Sequence, residues 1–72
     1  MALAKIIEVS SSSQTSFDDA VKNAYAEVAQ TVRNVKSVYV QDFLYEPGEA
    51  DETGGRFRVH CKVTFMVENA ND

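Results

Sequence analysis

The segment from Arg56 to Val67 alternates between apolar and polar side chains, and this alternation constrains the fold more than any other feature of the chain. Its apolar positions are Phe57, Val59, Cys61, Val63, Phe65 and Val67. The positions between them carry Arg56, Arg58, His60, Lys62, Thr64 and Met66. Because successive side chains of a strand point to opposite faces of a sheet, a period of two predicts a strand with one buried face. An apolar surface elsewhere in the chain must cover that face.

An amphipathic helix is the second strong pattern, and it supplies that surface. Apolar side chains recur at helical spacing at Phe17, Val21, Ala24, Val28 and Val32, with no proline or glycine between them. The hydroxyl of Ser16 can accept a hydrogen bond from the amide of Asp18 or Asp19, which makes Ser16 a suitable N-cap. Asn34 can end the helix in a left-handed conformation. We therefore expect one helix over residues 17–33.

Two further segments, residues 3–9 and 35–46, have the β-branched and aromatic composition of strands. The run from Ser10 to Thr15 is interpreted as a loop, and Pro47-Gly48 and Gly54-Gly55 bound a polar hairpin tip. In the second strand, Val38 and Val40 suit the helix side, which turns Ser37, Tyr39 and Gln41 to the opposite face. Residues 1–72 are thus expected to form a single α+β domain of order β-α-β-β, with three strands packed on one helix.

The small size of the chain predicts self-association. A domain of 72 residues removes only about 60% of its unfolded surface from water, so its core alone gives marginal stability. Cys61 is the only cysteine, and with His60, the only histidine, it cannot make a closed zinc site within one chain. The two residues are neighbours in a strand, so they point to opposite faces and do not form a catalytic pair. Contacts between copies of the chain are the remaining means of stabilisation.

Composition and charge argue against several functional classes. The net charge of −4 and the scattered basic residues do not suit nucleic-acid binding, which requires clustered lysine and arginine. No apolar run approaches the ~20 residues of a membrane span. We expect a cytoplasmic protein, because the start of the chain does not have the pattern of a secretion signal and its thiol is unpaired. We expect no catalytic residues, because there is no phosphate-binding glycine loop and no nucleophile at a useful spacing from a base.

The order of the elements and several short matches make the sequence resemble the dodecin family over nearly its whole length. The matching positions are Lys5-Ile6-Ile7-Glu8-Val9, Ser12-Ser13, Ser16-Phe17, Ala20, Ala24, Thr31-Val32-Arg33-Asn34-Val35 and Lys62-Val63-Thr64-Phe65. The resemblance implies a protomer whose three-stranded antiparallel sheet wraps around the helix, and a hollow homododecamer. It also implies flavin (FMN, FAD or riboflavin) held between neighbouring subunits for storage.

Four residues are candidates for the ligand site that the resemblance implies. Ser37 stands where the family has a tryptophan that stacks on flavin, and Arg58 stands where it has a glutamine that hydrogen-bonds the ring edge. Asp42 matches an aspartate that some relatives carry near the ligand. Tyr39 offers either a substitute stacking surface or an interface contact. Arg58 offers donors to a phosphate or carboxylate of a ligand, or a salt bridge to an acidic residue of a neighbouring subunit.

The departures at Ser37 and Arg58 leave two functions open. One is flavin binding and storage at subunit interfaces. The other is a flavin-free shell that serves as a scaffold or binds calcium or another cation. The acidic residues around the hairpin tip, Glu46, Glu49, Asp51 and Glu52, offer oxygen ligands but lack the spacing of an EF-hand loop. Copies of His60 that meet at a symmetry axis are another route to a metal site, whose ligands the sequence does not define.

Overall fold

The computed structural model describes residues 2–48 and 54–68. They form strand β1 (Ala2–Ser13), helix α1 (Phe17–Ala29), strand β2 (Val35–Glu46) and strand β3 (Arg56–Glu68). The acidic residues Glu49, Asp51 and Glu52 of the predicted hairpin tip lie outside the described residues. In the part of the chain that is described, no helix is long and apolar enough to cross a membrane.

The three strands form one sheet in the order β1-β3-β2, and both outer strands run antiparallel to β3. The most strongly alternating strand of the sequence is therefore the central one, paired along both of its edges. This arrangement confirms the predicted β-α-β-β order and the antiparallel sheet packed on one helix. In the protomer, β1 and β2 each keep one edge without a strand partner.

The core lies between α1 and the apolar face of β3. Val59, Cys61 and Val63 are almost completely buried there, as are Ala20 and Ala24 on the facing side of the helix. The two alanines have the smallest apolar side chains, so the helix lies close to the sheet. Other apolar side chains surround this centre and are partly buried: Ile7, Val9, Phe17, Val21, Val32, Val35, Val38 and Val40. The core is thus a thin layer under one helix, as the length of the chain predicts.

Helix α1 begins as predicted but ends earlier. The hydroxyl of Ser16 accepts a hydrogen bond from the amide of Asp19 at 3.0 Å. The helix ends at Ala29 rather than at residue 33, and Asn34 then adopts the expected left-handed conformation with φ 61°. The amide of Met66 donates to the carbonyl of Asn34 at 3.1 Å, which fixes the chain against β3 just before β2 begins. The helical spacing of Val32 reflects its place beside the core, not helical backbone.

The serine run is the second difference from the sequence-based expectation. Ser10 to Ser13 continue β1 instead of forming a loop, and they pair with β3 from His60 to Phe57. The long central strand offers backbone partners over this whole stretch, and those hydrogen bonds outweigh the weak strand preference of serine. Ser13 is buried, donates to Asp19 Oδ2 at 2.7 Å and accepts from the amide of Thr15 at 2.9 Å. The loop is therefore only three residues long, 14–16.

Strand β2 contains two irregularities, at Lys36 and at Gln41, where its register against β3 shifts by one residue. Val38 and Val40 lie opposite Val63 and Cys61, on the helix side as predicted. After the second irregularity, Asp42 is the ladder partner of His60. Strict alternation from Val40 would have placed Asp42 on the helix side. The extra residue Gln41 thus moves the carboxylate of Asp42 away from the core.

Candidate functional site

The face of the sheet that points away from α1 is the candidate binding surface, and we call it the open face. It consists of the side chains that alternate with the buried positions of the three strands. Its members are Ala4, Ile6, Glu8, Ser10 and Ser12 of β1, Ser37, Tyr39, Asp42, Leu44 and Glu46 of β2, and Arg56, Arg58, His60, Lys62, Thr64 and Met66 of β3. All four predicted ligand residues belong to this face.

The predicted residues are spread along the open face. Ser37 lies opposite Thr64, whereas Arg58 lies six residues further along the same central strand, opposite Leu44. At a rise of about 3.3 Å per residue, this separation is about 20 Å. One protomer therefore does not bring Ser37 and Arg58 together. A pocket that contains both requires a second subunit, and their role as ligand residues stays a prediction.

A groove with a volume of about 280 Å³ crosses the middle of the open face. Glu8 and Ser10 line it from β1, Gln41 and Asp42 from β2, and His60 from β3. Of the four predicted residues, only Asp42 borders the groove. Glu8 and Ser10 were missed because the pairing of β1 with β3 cannot be read from the sequence.

Arg58 is held by partners within its own protomer. Its Nε donates to Glu46 Oε1 at 3.0 Å, and its Nη1 donates to Ser10 Oγ at 3.0 Å. The acidic partner is thus on the neighbouring strand, not on the neighbouring subunit that the sequence suggested. Because a guanidinium has five N–H donors, these two bonds leave three for other acceptors. The positive charge of Arg58 is nevertheless already matched by a carboxylate.

Large apolar side chains are exposed on both sides of the sheet. On the open face, Ile6 and Tyr39 are 62% and 64% exposed, and they lie beside the small side chains of Thr64 and Ser37. On the helix side, Phe43 extends beyond the helix and is 62% exposed, although its ring makes an edge contact with Phe17 at 5.3 Å. Apolar surface of this kind marks interaction sites in small soluble proteins.

His60 and Cys61 point to opposite faces, as adjacent strand residues must. His60 is exposed on the open face, whereas Cys61 is buried under α1. Burial raises the pKa of the Cys61 thiol, because the apolar core does not solvate a thiolate. The thiol is therefore a core group and not a nucleophile.

A comparison with family sequence models identifies the family. The dodecin model matches residues 3–68, which is nearly the whole chain. The chain belongs to the dodecin family. A comparison with curated proteins gives no match.

Solved dodecin structures have the same fold as this chain. A dodecin variant from Thermus thermophilus is 23% identical, with a TM-score of 0.83 over 96% of this chain and 100% of that one. A dodecin from Streptomyces coelicolor is also 23% identical, with a TM-score of 0.83 over 96% of both chains. A calcium-chelating antigen of Mycobacterium tuberculosis, called calcium dodecin, is 19% identical, with a TM-score of 0.80 over 94% of both chains. At these identities the likeness establishes the fold.

Metal ligands are not grouped within a single dodecin protomer of this sequence. Among residues 2–48 and 54–68, no three His, Cys, Asp or Glu side chains are placed to hold an ion together. Glu8, Asp42 and His60 border the same groove but do not form such a group. A cation site built from the described residues would therefore need ligands from more than one subunit.

Proposed function

We propose that this dodecin assembles into a homododecamer and stores a small planar ligand on the open face between subunits, with flavin as the first candidate. The observation that carries the proposal is the open face itself. It exposes Ile6 and Tyr39 to solvent in the protomer, and all four residues predicted for the ligand site lie on it. The role is binding and storage rather than catalysis.

The exposed apolar side chains and the free edges of β1 and β2 support the assembly. A protomer of 8.0 kDa with a core one helix thick has little burial to stabilise it. Long strands with one open edge readily pair with other chains. Assembly would cover these edges together with Phe43 and Ile6.

The residues around Ser37 support a planar ligand. Ser37 and Thr64 are small and lie side by side, with the larger Ile6 and Tyr39 as their neighbours on the face. An aromatic ring lying over the two hydroxyl groups would contact Ile6 and the ring of Tyr39, which stands in for the tryptophan that the family has at position 37. Because aromatic contact contributes on the order of 1 kcal/mol beyond burial, Tyr39 would provide part of the lost stacking energy.

Cation binding is the second candidate, and the neighbour named calcium dodecin supports it. Ligands from several copies would have to converge at an axis of the assembly, because the described part of one protomer does not group three of them. Such a shell would lose thermal stability when a chelator is added.

Native mass spectrometry combined with flavin titration tests the proposal. We expect a particle near the mass of a dodecamer that quenches the fluorescence of added riboflavin. Tyr39→Leu should weaken riboflavin binding while the assembly persists, whereas Tyr25→Leu, on an exposed part of the helix, should leave binding unchanged. A folded monomer at micromolar concentration would overturn the assembly, and a dodecamer that quenches no flavin would overturn the ligand.

A further inference from the structure

The charged side chains in the middle of the open face are arranged as acid–base pairs between neighbouring strands. Arg58 of β3 contacts Glu46 of β2 at 3.0 Å. Lys62 of β3 is the ladder partner of Glu8 of β1. His60 of β3 is the ladder partner of Asp42 of β2. Three successive outward positions of the central strand thus carry a base, and each base has an acid on a flanking strand.

The pair of His60 and Asp42 differs from the other two in how it responds to pH. Histidine is the side chain that normally changes charge between about pH 5 and 8, whereas arginine and lysine stay positive throughout that range. When the imidazole is neutral, Asp42 is the carboxylate of the three pairs that lacks a positive partner. When the imidazole is protonated, the pair is balanced.

The remaining base of the described open face does not compensate Asp42. Arg56 lies four residues from His60 along β3, which corresponds to about 13 Å, and its own ladder partner is Glu46. That distance exceeds the Debye length of about 8 Å at physiological ionic strength, so its effect on Asp42 is largely screened. Around neutral pH, the groove between Asp42 and His60 therefore carries one unmatched negative charge.

We propose that this groove selects a planar ring that carries a positive charge, and that protonation of His60 releases it. The inference rests on the proposed function, which places a planar ligand on the open face. Asp42 attracts the cationic ring while His60 is neutral, and Ser10 and Gln41 provide hydrogen-bonding groups on either side of the groove. Acidification puts the imidazolium next to Asp42, where it takes the place of the ligand charge and repels the ring.

Two fluorescent three-ring probes of different charge test this selection on the assembled protein. Proflavine is cationic, and riboflavin is uncharged and of similar shape. We expect proflavine to bind at least ~threefold more tightly at about pH 7.5 than at about pH 5.5, the size of effect that one partly exposed charge pair produces. The affinity for riboflavin should change by less than about twofold over the same range, because it lacks the charge.

Variants separate the two groups of the pair. Asp42→Asn should remove the preference for proflavine at the higher pH, and His60→Gln should retain tight proflavine binding at both pH values. Glu27→Gln removes an equal charge from an exposed position of α1 and should reproduce the wild-type behaviour. Proflavine binding that does not depend on pH, or that depends on it equally in Asp42→Asn, would overturn the inference.

The two probes also separate this inference from the function on which it rests. Riboflavin binding without pH-dependent proflavine binding contradicts the charge selection alone. Equal losses of both probes at low pH contradict it as well, because the change is then not specific to charge. If neither probe binds at either pH, the planar ligand is wrong and the inference fails with it.

Discussion

Arg58 and Glu46 form an ion pair between β3 and β2, with 3.0 Å between Nε and Oε1. Because Arg58 also donates to Ser10 on β1, its guanidinium connects all three strands on the face that no helix covers. The sequence placed Arg58 in a ligand pocket or at a contact between subunits. The structure gives it partners inside the protomer.

Replacing Arg58 with glutamine should therefore cost a modest amount of stability. The two side chains are 29% and 43% exposed, so solvent screens the pair and we expect the free energy of unfolding to fall by about 0.5–1 kcal/mol. Urea denaturation at one fixed protein concentration measures the change. Glu46→Gln should have a similar effect, and the double variant should lose little more than either single one. Strictly additive losses would mean that the pair does not contribute as a unit.

Ser37→Trp tests whether the family site is retained. The new ring would lie on the open face beside Thr64 and Tyr39, where it can stack on a planar ligand. We expect riboflavin affinity to rise by tenfold or more, which corresponds to roughly 1.4 kcal/mol. Fluorescence titration measures the affinity, and Ser37→Leu is the control, because it adds apolar area without an aromatic ring. If Ser37→Trp does not increase affinity, the position no longer borders the ligand.

The elements that could be predicted from the sequence are those with a strong periodic pattern. The alternation around Val59 and Val63 predicts the central strand, and the spacing from Phe17 to Val28 predicts the helix. The serine run was wrongly assigned to a loop because composition describes local preference only. Ser10 and Ser13 are strand residues since β3 offers them backbone partners, which are distant in the sequence.

The candidate site was predicted only in part, for the same reason. Alternation along β2 and β3 was enough to place Tyr39 and Arg58 on the face away from the helix. Alternation alone does not reveal the irregularity at Gln41, which brings Asp42 opposite His60. Nor does it show that Glu8 borders the same groove, because this depends on the register of β1. The missing information lies in the pairing between strands.

The thin core makes stability sensitive to small losses of buried volume. Val63→Ala removes two methyl groups at a position with no solvent exposure, so we expect the free energy of unfolding to fall by about 2 kcal/mol. Val67→Ala makes the same change on the same face of β3, where the side chain is 37% exposed, and should cost well under half as much. Urea denaturation of both variants at matched concentration provides the comparison. Equal losses would show that Val67 is buried just as deeply in the assembled protein.

The buried thiol of Cys61 predicts a loss of stability at alkaline pH. Burial raises the pKa of this thiol in the folded chain, whereas an unfolded thiol ionises near pH 8.5. As the pH rises, the unfolded chain therefore loses its thiol proton first, and the free energy of unfolding decreases. The contribution is fully present below about pH 8.5 and is lost as the pH rises through the folded pKa, by up to about 1.4 kcal/mol per pH unit. Urea denaturation at about pH 7.5 and pH 9.5, with a reductant present, should show a larger decrease for the wild type than for Cys61→Ala. Equal decreases would mean that the thiol ionises as readily in the folded chain as in the unfolded one.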